Sequence, residues 1–311
     1  MKTTFVESLT ATTGKVVDFF QVAQVDRRTR KEGGAYLALK VRDRTGEVGG
    51  NLWDVPADLE LKTGDVVKVE AETQTYRGNL QLKFVRVRLA KPEEVCKDDY
   101  MPASKHDREA LLRSLVANIT RVSRLELRRM LIDFVSSEPR FKDAPAATKN
   151  HQAYLGGLLE HVINLTDLAI QVCKIYPALD LDILIAGCVL HDIGKLDEYC
   201  YDTHIDRTRA GRLLGHIVQG VPMVQQFAKA YDIPAEAMDH ICHIMVSHHG
   251  RKEWGAAVEP LSREAQVFHM LDMIDSRMGL IDNIVAAGEV DQDGFTARNQ
   301  SLGTAVWVPR G

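Results

Sequence analysis

The pentapeptide His191-Asp192-Ile193-Gly194-Lys195 places an imidazole, a carboxylate and an ammonium side by side. It follows the apolar run Ile183-Leu184-Ile185-Ala186-Gly187-Cys188-Val189-Leu190, which reads as a buried helix. An imidazole and a carboxylate emerging there are costly to desolvate unless a cation satisfies them. The chemistry this suggests is a divalent-metal site. Lys195 falls four residues after His191, on the same face if the helix continues, and suits a phosphate ester. Gly194 either ends the helix or admits a close neighbour.

The pair does not stand alone. The chain has 11 histidines, and only His106 precedes His151. In order come His161, His191-Asp192, His216 in Gly215-His216-Ile217, His248-His249 before Gly250, and Asp272 with Asp275 one turn later. Each sits beside small residues or inside an apolar helical pattern, where side chains point into a bundle core. Mixed imidazole and carboxylate donors suit manganese, iron, cobalt, nickel or zinc, and no thiolate forces zinc. Two such ions about 3.5–4 Å apart can hold both the attacking and leaving oxygens of a phosphodiester. Taken singly, His151, His204, His240, His243 and His269 are read as supporting, surface or core residues.

The elements that must carry these residues are helices from Ser104 to about Gly288. Ser104 is the expected cap of the first, with Asp107 as the capping-box acid, and the second spans roughly 124–135. Arg113, Arg121, Arg124, Arg128 and Arg129 give this pair a basic side, read as a solvated face, and Pro139 and Pro145 end it. No strand-like alternation is expected between there and Gly288. In front of the helices the pattern is different. Alternating segments at 14–25, 35–43, 47–53, 65–75 and 80–89 are separated by Gly-containing turns. Room for one short helix remains at 56–61. Five strands with a helical insert after the third is the layout of a five-stranded OB barrel. The expected divisions are 1–90 for the barrel, 91–145 for a connector and helical pair, 146–288 for the metal domain and 289–311 for an irregular tail. The fold class is therefore multidomain α and β: an OB barrel followed by an all-α domain.

The segment Tyr36-Leu37-Ala38-Leu39-Lys40-Val41-Arg42-Asp43-Arg44-Thr45-Gly46-Glu47, then Leu52-Trp53-Asp54, resembles nucleic-acid-binding OB modules of replication and tRNA-related proteins. Tyr76-Arg77-Gly78-Asn79-Leu80-Gln81-Leu82 is similar to their last hairpin. Such modules stack bases on aromatics while cations track the backbone. Tyr36, Trp53 and Tyr76, with Lys40, Arg42, Arg77 and Lys83, form the candidate contact set. Trp53 reads equally as a stacking platform or as the plug of the barrel core.

The ordered set His161, His191-Asp192, Asp272 resembles the HD-domain metal-dependent phosphohydrolases, and His216 with His248-His249 is similar to their two-metal branch. In that family's His-Asp-x-Gly-Lys form, Lys195 would neutralise the scissile phosphate, and Asp192 would act with it in catalysis. Glu160, His151 and Asp275 are expected behind the ligands. An OB barrel joined to an HD domain containing His151-Gln152-Ala153-Tyr154-Leu155-Gly156-Gly157-Leu158-Leu159-Glu160-His161 and Ser247-His248-His249-Gly250 resembles the YhaM-type 3′–5′ exoribonucleases. The resemblance implies release of nucleoside 5′-monophosphates from single-stranded RNA, with single-stranded DNA a further polymer. It implies manganese first, with two ions per site and a homo-oligomer compatible. The direction of cutting comes from the resemblance alone.

Two other readings compete. A small-nucleotide or cyclic-dinucleotide phosphohydrolase would use the barrel for regulation, but Gly250 is followed by Arg251-Lys252-Glu253-Trp254 rather than the Gly-Tyr-Pro expected of cyclic-di-GMP enzymes. A non-catalytic nucleic-acid-binding protein is opposed by donors at every expected position. Charge is permissive: residues 1–90 carry 15 Lys+Arg against 12 Asp+Glu (+3), and the remainder 24 against 31 (−7). Five cysteines without a CxxC pair suggest reduced thiols. No secretion signal or membrane span is expected, which points to the cytoplasm.

Overall fold

The computed structural model describes residues 2–30, 33–148, 152–202 and 204–309. The chain divides into two compact units, Met1–Pro102 with Asp202–His204, and Ala103–Tyr201 with Ile205–Gly311. Among the described residues, no helix is long and apolar enough to cross a membrane.

The first unit is a closed barrel of β1 (Lys15–Thr29), β2 (Ala35–Asp43), β3 (Gly46–Leu52), β4 (Val66–Tyr76) and β5 (Asn79–Leu89), in the order β1-β2-β3-β5-β4. Closure depends on the long first strand. Its first half pairs with β4 and its second with β2, and the register shifts between Val22 and Gln24 where it changes partner. β3 and β5 pair in parallel, giving the OB topology. Alternate residues fill the interior, with Phe20, Val22, Val41, Leu52, Val67 and Leu82 at 0–1% exposure. At Gly50 a Cβ would lie 1.8 Å from the Leu82 carbonyl oxygen, so the parallel pair closes only on glycine there. A two-residue turn joins β4 to β5, with Arg77 and Gly78 both at positive φ (51° and 81°), the I′ pattern favoured in tight hairpins.

The short helix expected at 56–61 does not form. One turn, closed by Leu59 N–H to the Pro56 carbonyl, is followed by extended chain, and Leu59 and Leu61 pack against the barrel core. Six residues cannot repay helix nucleation when both leucines gain more from the barrel.

The second unit is helical: α1 (Arg108–Ile119), α2 (Leu125–Ser137), α3 (Pro139–Asp143), α4 (Gly157–Ile175), α5 (Leu181–Leu190), α6 (Lys195–Glu198), α7 (Arg209–Ala228), α8 (Ala235–Ser247) and α9 (Arg263–Ala286). The cap of α1 is Asp107, which accepts from Glu109 N–H, rather than Ser104, whose hydroxyl serves His106. Pro139 starts α3 instead of ending the segment, since a proline at the first helical position loses no needed donor. Tyr199–Cys200 and Asp206–Arg207 form a two-residue hairpin, β6–β7, in a stretch expected to lack strands. It is too short for alternation to mark. Among the described residues, the tail past α9 has isolated bridges only, Val290 with Thr296, Phe295 with Trp307 and Asn299 with Thr304.

The axis of this unit is α5. Nine of its residues are buried, and α4, α8 and α9 pack around it. Asp180 caps it at Ile183 N–H, and the buried Asp182 accepts from Ser123 and Arg124. Removing Leu184 from such a position costs about 2–5 kcal/mol. The C-terminal end of this helix delivers His191 and Asp192.

Candidate metal centre

Five histidines and two aspartates converge from α4, the end of α5, α7, the end of α8 and α9. His191 and His248 are the C-cap residues of α5 and α8. Each imidazole Nδ1 turns back to its own helix, His191 to the Cys188 carbonyl (3.1 Å) and His248 to that of Met245 (2.7 Å). Those carbonyls are left without helical partners at a C-terminus. His161 Nδ1 bonds Asp275 (2.7 Å), which is itself held by Asn164 and Gln152, and His216 Nδ1 bonds Glu198 (2.9 Å). With each Nδ1 donating, each Nε2 lone pair faces inward, as in histidines bound to metal.

The inward atoms form two groups, His161 with His191 and Asp192, and His216 with His248 and His249. Asp192 touches both. Its Oδ2 lies 3.1 Å from His191 Nε2, and its Oδ1 lies 3.3 Å from His216 Nε2 and 3.8 Å from His248 Nε2. Asp272 closes the first group at 3.3 Å from His161 Nε2.

The donor set calls for cations. His161 Nε2 and His191 Nε2 face each other at 3.3 Å. Asp192 Oδ1, His216 Nε2 and His249 Nδ1 are buried without a hydrogen-bond partner. Acceptors pointed at acceptors in a buried place are costly unless positive charge lies between them. Divalent ions fit this arrangement of N and O donors.

Ionisation agrees. Burial alone would raise Asp192, yet His191 and Lys195 hold its carboxyl well below the usual range. Burial would likewise raise Asp272, but the hydrogen bond and charge of His161 outweigh it and hold this carboxyl well below the usual range. His248 and His249 are pushed down, chiefly by burial, and so stay neutral and able to donate an electron pair. Burial would lower His161 too, but Asp272 and Asp275 push it up to about 9.

Lys195 departs from its expected geometry. The chain leaves the helix after His191, so the pairing is Asp192–Lys195 across three residues, with Nζ on Oδ2 of the carboxylate. Burial works against the ammonium but Asp192 raises it. Gly194 admits a neighbour: a Cβ there would lie 1.9 Å from the His216 carbonyl oxygen. Gly215, at φ 70°, breaks α7 immediately before His216.

Asp275 meets Nδ1 of His161, behind the inward donors. Glu160 is not brought into the site; it accepts from Tyr154 (2.6 Å), because consecutive helical residues point about 100° apart. His151 lies outside the described residues. Glu198, Asn164 and Gln152 escaped the sequence reading. Asn164, one turn after His161, carried a detectable spacing; Glu198 carried none.

On the barrel, Tyr36, Lys40 and Arg42 share the outer face of β2, since Leu37, Leu39 and Val41 point inward. Register places Asn51 beside Ala38 and Lys83 beside Asn51, extending that face across β3 to β5. Trp53 is 40% exposed and stacks on Tyr36 at 4.7 Å, so it is not a core plug. Arg30 lies over Trp53, and Arg28 is the register partner of Tyr36 on β1; neither was a candidate from sequence. Tyr76 is exposed at the hairpin with Arg77 beside its ring. Lys40 pairs with Glu47 and Arg42 with Gln21.

Residues 158–277 match the HD domain family. The chain is 32% identical over 304 residues to a protein named 3′-5′ exoribonuclease YhaM from Geobacillus sp. (strain WCH70), covering 93% of this chain and 92% of that one. It is 32% identical over 284 residues to the protein of the same name from Oceanobacillus iheyensis, covering 90% and 89%. Among solved structures, a domain of replication protein A from Methanococcus maripaludis matches at 21% identity and TM-score 0.24, over 28% of this chain and 94% of that domain.

Proposed function

Since the chain belongs to the YhaM family of 3′–5′ exoribonucleases, we propose that it shortens single-stranded RNA from the 3′ end, releasing nucleoside 5′-monophosphates at two divalent ions. The observation that carries the reading is Asp192, whose two carboxylate oxygens face separate histidine groups. The residues that would hold two ions are Asp192 with His161, His191 and Asp272 on one side and with His216, His248 and His249 on the other. When bound, such ions activate the attacking water and stabilise the charge of the phosphoryl oxygens. Manganese is the ion we assign first on the family resemblance, and the imidazole-rich set also suits iron, cobalt, nickel or zinc.

The protein's own groups set the conditions. Lys195 keeps Asp192 ionised and adds positive charge beside the reacting phosphate. The outward Nδ1 bonds fix the ring orientations before substrate arrives. The outer face of β2, β3 and β5 offers Tyr36, Trp53 and Lys83 to a single strand, aided by Arg28 and Arg30. Polymer held by the barrel is then present at high local concentration for the HD domain.

A time course with 5′-labelled single-stranded RNA, with and without manganese, tests this. A metal-dependent ladder descending one nucleotide at a time is expected, and single-stranded DNA in parallel reports the polymer preference. Random internal cuts, or RNA left intact, would oppose it. Deleting residues 1–90 should impair long RNA more than short oligonucleotides.

A further inference from the structure

Beside the ligand set lies an open cleft of about 420 Å³, bordered by His248, His249 and Asp272 and, away from them, by Trp254, Met273, Arg277 and Leu280. Its volume is within the range of about 300–1,000 Å³ usual for small-ligand sites. Trp254 is half exposed although it is among the largest apolar side chains in the helical unit. It is nonetheless held in place. A 3-10 turn at Lys252–Trp254 ends on Gly255 in the left-handed region, and Ala257 N–H bonds the Val246 carbonyl. The Arg251 guanidinium lies 4.9 Å from its ring and the His269 ring 6.0 Å away. His269 is in turn fixed by the His248 carbonyl, so the indole is tied to the segment that carries two ligands.

An open aromatic surface within one cleft of a phosphodiester-cleaving centre matches the chemistry of base stacking. Arg277 is exposed and makes no ion pair among the described residues, which leaves its guanidinium for a phosphate. Met273 and Leu280 add apolar wall.

Resting on the exoribonuclease reading, we propose that this cleft receives the 3′-terminal nucleotide, its base stacked on Trp254 and its phosphate side met by Arg277. Stacking is tolerant of sequence because every base has a π-face, which suits successive removal of whatever nucleotide arrives. It also fixes the register in which the terminal phosphodiester meets the ligands.

The test compares a 5′-labelled RNA with the same RNA ending in an abasic nucleotide, using wild type, Trp254→Ala and Trp254→Phe. On the ordinary end Trp254→Ala should lower kcat/KM about 10-fold, the scale of one stacked base, while Trp254→Phe keeps most activity. On the abasic end all three should differ by less than about 2-fold, because no base is present to stack. A second readout needs no turnover. With Trp53→Phe and Trp307→Phe in place, the fluorescence of Trp254 should be quenched by adenosine or uridine 5′-monophosphate but not by ribose 5-phosphate. Equal loss on both ends, no loss on either, or equal quenching by ribose 5-phosphate would overturn the assignment alone. Failure of the wild-type protein to shorten either RNA would overturn the exoribonuclease reading and the assignment with it.

Discussion

Glu198 lies 2.9 Å from Nδ1 of His216 through one carboxylate oxygen and 3.2 Å from Nε of Arg207 through the other. Its side chain is buried, so the carboxylate has little freedom to turn away. His216 follows the break at Gly215 and lacks the helix-end carbonyl that orients His191 and His248. Glu198 replaces that carbonyl.

Losing this support should loosen His216 without removing it as a donor. We expect Glu198→Ala to weaken metal binding at the His216 group by about 10–100-fold, and Glu198→Gln, which can still accept the bond, to weaken it less. Titration of metal-free protein with manganese, followed by calorimetry, checks this. Unchanged affinity in Glu198→Ala would show that the ring is oriented by other means.

Asp192 permits a sharper experiment, because it is shared by both groups. Adding manganese to metal-free protein should raise its melting temperature, as about 2.7 kcal/mol of stabilisation is expected at 100 times Kd. Asp192→Ala should abolish that rise and the activity together. His249→Ala should leave one ion per chain, read by elemental analysis after equilibrium dialysis. Two ions retained in His249→Ala would remove it from the ligand set.

The site was legible in the sequence to the extent that its residues are rare and its background apolar. His191-Asp192 stands out because eight apolar or small residues precede it, and eight of the ten other histidines lie in the same half of the chain. The barrel was legible because glycine turns divide its alternating strands. What could not be read were the partners that tertiary structure supplies. Glu198 looks like any surface glutamate until β7 and α7 enclose it. Asp275 shares a face with Asp272 in the helical pattern, yet packing sends it to the opposite nitrogen of His161. The alternative roles of Trp53 were open for the same reason, since only the fold shows it lying on Tyr36.

That stacked pair makes the barrel testable apart from the metal centre. Trp53→Ala should weaken single-stranded RNA binding by about 1–3 kcal/mol if a base stacks there, measured by fluorescence anisotropy without added metal. Lys83→Gln should instead reduce the slope of log affinity against log salt by about 0.7, the share of one phosphate contact to a single strand. No change in either quantity would place the RNA track elsewhere on the barrel.

Acid should act on a different part of the helical unit. Arg124 holds both oxygens of Asp180 at 2.8 and 2.6 Å, and this outweighs burial to keep the carboxyl below its ordinary value. In the unfolded chain an aspartate binds its proton near pH 3.9. Below that value the unfolded state takes up the proton first, so the contribution of Asp180 to stability is present above about pH 4 and is lost as pH falls through the folded-state pKa. Asp180→Asn retains a side chain able to cap α5 but lacks the charge. Since the pair is a third to a half exposed, solvent screening limits the loss at pH 7 to about 1 kcal/mol or less. Urea midpoints of wild type and Asp180→Asn should therefore differ at pH 7 and converge toward pH 3. A difference that persists undiminished at pH 3 would assign the effect to the cap and not to the charge.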